Sequence, residues 1–247
     1  MSSTSRCNPP DLPVRRFASR CYLWLLPLLM CVSINPSYAS SSHDPKAIIK
    51  NMEQAYAGVY DYRTNLTISG FGKEKEFKTV QKLLYRFKKP DKVRIDFESP
   101  HQGMVIVYPD HDGKVAVNLG SWFSFPSFRF NRNSSFVEIS PGQHIHQTDF
   151  GMLIRNITSS MTELFQGDLK LEEDDNRLVI RVLSDNAFRK GKATRYTFTI
   201  DKDLWLPVAV DESTPAGVLQ RRVLYENLKL NTGVSDSVFR LGGRDGG

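Results

Sequence analysis

Apolar residues recur at every second position through most of this chain, and at helical spacing in two places. Residues 92–98 show the first pattern most cleanly. Val93, Ile95 and Phe97 alternate there with Lys92, Arg94, Asp96 and Glu98. Strand side chains point alternately to the two faces, so this segment predicts a strand with one apolar face and one charged, solvated face. Such strands belong to antiparallel sheets with one wet side, not to sheets buried between helices. The preceding Lys89-Pro90-Asp91 turns the chain, because proline has no amide to donate to a ladder. Comparable strands are predicted over residues 62–69, 76–87, 104–108 and 114–119. A second series follows over residues 169–171, 177–183, 194–200, 206–212 and 218–230.

Helical spacing is confined to two stretches. Asp44-Pro45 is a capping residue followed by proline at the first helical position. Ile48, Ile49, Met52 and Tyr56 then make one apolar stripe that ends near Gly58. The second stretch covers residues 148–165, with Leu153, Ile157, Met161 and Leu164 on one side. The expectation is therefore about ten or eleven strands against two helices. A sheet that wide twists and curls, and its apolar face becomes the concave one. Two helices cover only part of such a concavity. Either the sheet closes on its own side chains, or a cavity remains for an apolar ligand.

The first residues follow a different pattern. Arg6, Arg15, Arg16 and Arg20 precede an apolar run from Cys21 to Ile34, and Ser37-Tyr38-Ala39 places small residues where a signal peptidase reads. This order predicts a cleaved signal peptide over residues 1–39 and a single exported domain over residues 40–247. Cys7, Cys21 and Cys31 all fall in the leader, so the expected mature chain has no disulfide framework, thiol nucleophile or cysteine metal site. The leader's four arginines against one aspartate account for three of the six net positive charges. The remaining balance is too small to argue nucleic-acid binding.

Motifs toward the C-terminus narrow the choice of fold. Asp201-Lys202-Asp203-Leu204-Trp205-Leu206-Pro207-Val208 is followed by a strand and by Pro215-Ala216-Gly217-Val218. Tyr225-Glu226-Asn227-Leu228 and Asp236-Ser237-Val238-Phe239 come next. This succession resembles the closing pattern of the LolA/LolB-like periplasmic lipoprotein carriers and their outer-membrane lipoprotein-sorting relatives. Lys89-Pro90-Asp91-Lys92-Val93-Arg94-Ile95 resembles that superfamily's basic-proline turn and following strand, with lysine where arginine is usual. The layout match extends over most of the chain after residue 39; the motif match covers residues 89–97 and 201–239. The resemblance, that of a distant member, implies a mainly β (α+β) fold. In it a curved antiparallel sheet forms an incomplete barrel, with helices packed on its concave side. It further implies a periplasmic monomer that carries lipid or lipidated protein, contacts inner- or outer-membrane components transiently, and needs no cofactor.

Candidate ligand-binding residues follow from this reading. Val93, Ile95 and Phe97 form the apolar face of one strand, and Leu153 and Ile157 belong to the apolar side of the second helix. Trp122, Phe123, Phe125, Phe128 and Phe130 crowd one short segment. They are read either as a lining that meets acyl chains or as ordinary core aromatics beneath the helices. His144, His146 and Asp149 offer a second chemistry, since two imidazoles and a carboxylate suit a metal-assisted hydrolase. The plainer expectation is that the histidines lie in a loop and Asp149 caps the helix that begins there. No phosphate loop, nucleophile elbow or paired-carboxylate motif is present in a convincing context, so neither a catalytic residue nor a metal site is expected. The leading function is a carrier or chaperone with an apolar cavity. A sensor of envelope lipid or lipoprotein on the same fold is the alternative.

Overall fold

The computed structural model describes residues 44–71, 77–120, 127–140, 142–162, 169–188 and 190–242. The expected leader lies outside these residues, as do Trp122, Phe123 and Phe125. Helix α1 (Pro45–Ala57) opens the described chain, with the Asp44 carboxylate accepting from the Lys46 amide. A first meander follows, made of β1 (Asp61–Phe71), β2 (Phe77–Lys88), β3 (Lys92–Ser99), β4 (Val105–Tyr108), β5 (Val115–Asn118) and β6 (Phe128–Phe130). A short ribbon of β7 (Glu138–Ser140) and β8 (Gln143–His144) leads into helix α2 (Phe150–Thr162). The second meander is β9 (Lys170–Glu173), β10 (Arg177–Asp185), β11 (Ala193–Asp201), β12 (Leu206–Ser213) and β13 (Leu219–Leu230).

The two meanders join into one antiparallel sheet of eleven strands through the pairing of β1 with β13. Its edges, β6 and β9, do not pair with each other, so the barrel stays incomplete. The expected fold class is the observed one. The sheet bends where its ladders slip. Asn227 adopts φ 53° in β13, beside the register shift between Arg63 and Asn65 on β1. Asparagine tolerates this left-handed conformation better than most residues, and a bulge there bends the strand. The Thr64 hydroxyl steadies the irregularity by donating to the Glu226 carbonyl at 2.9 Å. Pro207 likewise sits at the register shift between β11 and β12, where a missing amide costs the ladder least.

Both helices lie over the concave face. Ile48 and Met52 of α1 are buried there, as are Phe150, Ile154, Ile157 and Met161 of α2. At the centre of this core the Tyr62 ring lies 4.6 Å from Phe150 and 5.2 Å from Phe87, centroid to centroid.

The convex face is less simple than the alternation of β3 predicts. Residues Asp236–Phe239 form a 3-10 turn that docks on the outside of β3 and β4, burying Val107, Val234, Val238 and Phe239. Arg94 is only 9 % exposed. It donates to the Val238 and Arg240 carbonyls at 2.8 and 3.1 Å and pairs with Asp96, which also pairs with Arg86. The face assignment from sequence is correct, but the face is not wholly solvated. A strand's periodicity carries no sign of a segment that returns from far along the chain to cover it.

Candidate functional site

A cavity of about 500 Å³ lies on the concave side of the sheet. That volume falls within the roughly 300–1,000 Å³ typical of ligand pockets. The period of two explains its walls, because residues two apart along each strand share the inward face. Leu66 and Ile68 of β1, Leu83 and Tyr85 of β2, and Ile95 and Phe97 of β3 line one side. Phe198 of β11, Val210 of β12, and Val223 and Tyr225 of β13 line the other. Leu153 and Asn156 of α2, together with Val137 and Ile139 near the ribbon, complete the lining.

Of the residues singled out from sequence, Ile95, Phe97, Phe128, Phe130 and Leu153 meet at this cavity. Val93 and Ile157 do not. Both are buried in the core and absent from the cavity wall. Val93 pairs with Phe87 and Tyr108 at a level of the sheet already filled by aromatic rings, so sharing a face with Ile95 does not make it lining. Phe128, Phe130 and Phe136 form a ladder with centroids 6.4 and 5.9 Å apart, and Phe128 and Phe136 are exposed. Wall residues on β11 to β13 were not singled out from sequence. Their signal was present in the alternation of Arg221, Val223 and Tyr225 along one strand.

The roof of the cavity is anchored where α2 begins. The Asp149 carboxylate accepts from the Gly151 and Met152 amides at 3.0 and 3.2 Å, and the Tyr62 hydroxyl accepts from the Phe150 amide at 3.3 Å. The first orphan donors of the helix are thereby satisfied. The Tyr56 hydroxyl of α1 donates to the same carboxylate at 2.7 Å. Gly151 makes this approach possible, since a Cβ there would stand 2.6 Å from the Tyr56 ring. Lys89 secures the same C-terminal end of α1 by donating to the Tyr56 and Ala57 carbonyls at 2.8 and 3.3 Å, with its ammonium 4.3 Å from the Tyr56 ring centre. A point charge suffices for such a role at a helix C-terminus, where arginine's fork is not required.

Tyr85 and Tyr225 face the cavity as neutral phenols. Burial pushes the Tyr225 phenol up to about 12 and raises the Tyr62 and Tyr85 phenols as well. Polar groups gather elsewhere on the wall, where Glu212 and Arg221 form an ion pair of 2.9 Å.

The histidine segment spans a strand end and a turn. β8 ends at His144, and Ile145–Gln147 is a 3-10 turn. The two imidazoles stack with centroids 5.8 Å apart and planes within 5°. Burial and the nearby Arg132 guanidinium lower the His146 pKa, which favours the neutral ring. Asp149 is engaged by α2 and Tyr56 and forms no ligand cluster with these rings.

No protein-family model and no curated protein matches the chain. Among solved structures it is similar to a DUF1329 family protein from Desulfovibrio piger, at 14% identity and TM-score 0.42, over 79% of this chain and 95% of that one. It is also similar to a LolA superfamily protein from Nitrosomonas europaea, at 10% identity and TM-score 0.37, over 79% and 96%. A third similarity is to the lipoprotein LppX from Mycobacterium tuberculosis, at 13% identity and TM-score 0.41, over 78% and 98%.

Proposed function

We propose that this protein is an exported, periplasmic carrier that holds acyl chains of a lipid or lipidated protein in its concave cavity on the way to the outer membrane. The observation that carries this reading is the cavity itself: about 500 Å³, walled by Leu66, Leu83, Ile95, Phe97, Phe198 and Val223 beneath a helical roof. Each buried methylene contributes roughly 0.8 kcal/mol, so ten of them supply about 8 kcal/mol before the cost of association. No helix among the described residues is long and apolar enough to cross a membrane. Loading requires a second arrangement in which α2 stands away from the sheet, favoured whenever a ligand binds it better.

Uptake of a dansylated fatty acid by the purified protein tests this. Saturable fluorescence that Phe97→Asp abolishes, with unchanged far-UV circular dichroism, is the expected result. An unliganded protein that takes up no dye would overturn the reading.

A further inference from the structure

The ion pair on the cavity wall sets a requirement on what the cavity holds. Neighbouring rungs of β12 and β13 carry two arginine–carboxylate pairs on opposite faces of the sheet, because Asp211 is opposite Arg222 and Glu212 opposite Arg221. The Asp211–Arg222 pair, away from the cavity, is closed. Arg222 Nε and Nη2 donate to the two carboxylate oxygens at 2.7 and 2.6 Å, the saturated fork geometry. The Glu212–Arg221 pair faces the cavity and is open. Its single bond runs from Arg221 Nη1 to Glu212 Oε1 at 2.9 Å. Nε and Nη2 of Arg221 and the second oxygen of Glu212 are left available. Both side chains are largely sheltered, at 20 % and 14 % exposure. Gly70, the cross-strand neighbour of Arg221 on β1, adds no side chain beside the guanidinium.

We infer that the Arg221–Glu212 pair is a headgroup subsite for a zwitterionic amphiphile whose acyl chain occupies the cavity, with phosphoethanolamine the chemistry that fits. This rests on the acyl-binding reading above. Arg221 keeps its bond to Glu212 and turns Nε and Nη2 to a phosphate; Glu212 keeps Oε1 on Arg221 and accepts an ammonium at its second oxygen. The ligand thus adds one charge of each sign to a site that already holds one of each. A purely anionic head fits less well. Among the described wall residues the carboxylates Glu138, Asp149 and Glu212 outnumber the one arginine, Arg221. An ion pair sheltered in an apolar wall adds little stability over apolar residues of the same size, so its place there is better explained by recognition.

Three palmitoyl probes that share one chain separate the possibilities: lysophosphatidylethanolamine, lysophosphatidylglycerol and monopalmitoylglycerol, each displacing the dansylated fatty acid. The wild-type protein is expected to bind the first about tenfold or more tightly than the other two, since the second lacks the charge-assisted ammonium contact and the third lacks both contacts. Arg221→Gln should narrow the gap to monopalmitoylglycerol, and Glu212→Gln the gap to lysophosphatidylglycerol. Arg222→Gln, on the other face, should keep the preference. Equal binding of all three probes, or tightest binding of the glycerol phosphate head, overturns the subsite while the acyl cavity stands. Tighter binding of a monopalmitoylated peptide than of lysophosphatidylethanolamine overturns it in favour of a lipidated-protein cargo. Binding of no probe overturns subsite and cavity reading together. The wild-type ranking decides even where a variant fails to fold.

Discussion

Replacing Asp149 by alanine should loosen the cavity roof by an amount the structure allows to be divided. The carboxylate caps α2 through the Gly151 and Met152 amides and accepts the Tyr56 hydroxyl at 2.7 Å. Losing the cap costs about 1 kcal/mol. Leaving a half-buried phenol without its charged acceptor costs roughly a further 1–2 kcal/mol. Asp149→Ala should therefore lower the unfolding free energy by about 2–3 kcal/mol in a urea titration. Tyr56→Phe removes only the hydroxyl and should cost about 1 kcal/mol. The double variant should cost less than the two singles added, since both report on one bond. Gly151→Ala gives an independent route to the same loss, because its methyl would press on the Tyr56 ring and the Asp149 carboxylate. All three single variants should release bound dansylated fatty acid faster than the wild type. An Asp149→Ala protein within about 0.5 kcal/mol of wild type, or strict additivity with Tyr56→Phe, would refute the idea that this carboxylate ties α1 to α2.

Asp96→Lys, harmless if the charged side of β3 were plain solvent face, should instead destabilise by about 3 kcal/mol, because it sets a third cation against Arg86 and Arg94; an unchanged urea midpoint would contradict this. Lys89→Met should cost about 0.5 kcal/mol by removing the cation at the C-terminus of α1, and a melting temperature equal to wild type would count against that role. Asp236 is held down at about 2 by Lys88 and Lys92. Its folded value lies below its unfolded one, so its contribution is complete above about pH 4 and lost as pH falls through about 2. Hydrogen exchange should show the 234–239 segment loosening across that window, and Asp236→Asn should remove the pH dependence there while loosening the segment at neutral pH.

Much of the fold was legible because alternation reports directly which face a strand buries. Val93, Ile95 and Phe97 point inward as their period required, and Asp44 and Asp149 cap helices where their positions indicated. Depth along a strand has no such signature. Val93 and Ile95 share a face, yet only Ile95 reaches the cavity, since rings from β2 and β4 fill the level of Val93. Charge misleads in a related way. Arg94 reads as solvent-facing, but it is covered by the C-terminal turn. For Arg94 the deciding contact comes from Val238, remote in sequence, which local pattern does not encode.

The claim that the concave hollow is an acyl-chain site is tested most directly by native mass spectrometry of the protein isolated from cells without detergent. A population carrying an adduct of lipid mass, retained in Arg222→Gln and absent from Phe97→Asp, is the predicted result. Wild-type protein that flies only at its bare chain mass, and stays so after incubation with palmitoyl lysolipid, would contradict it.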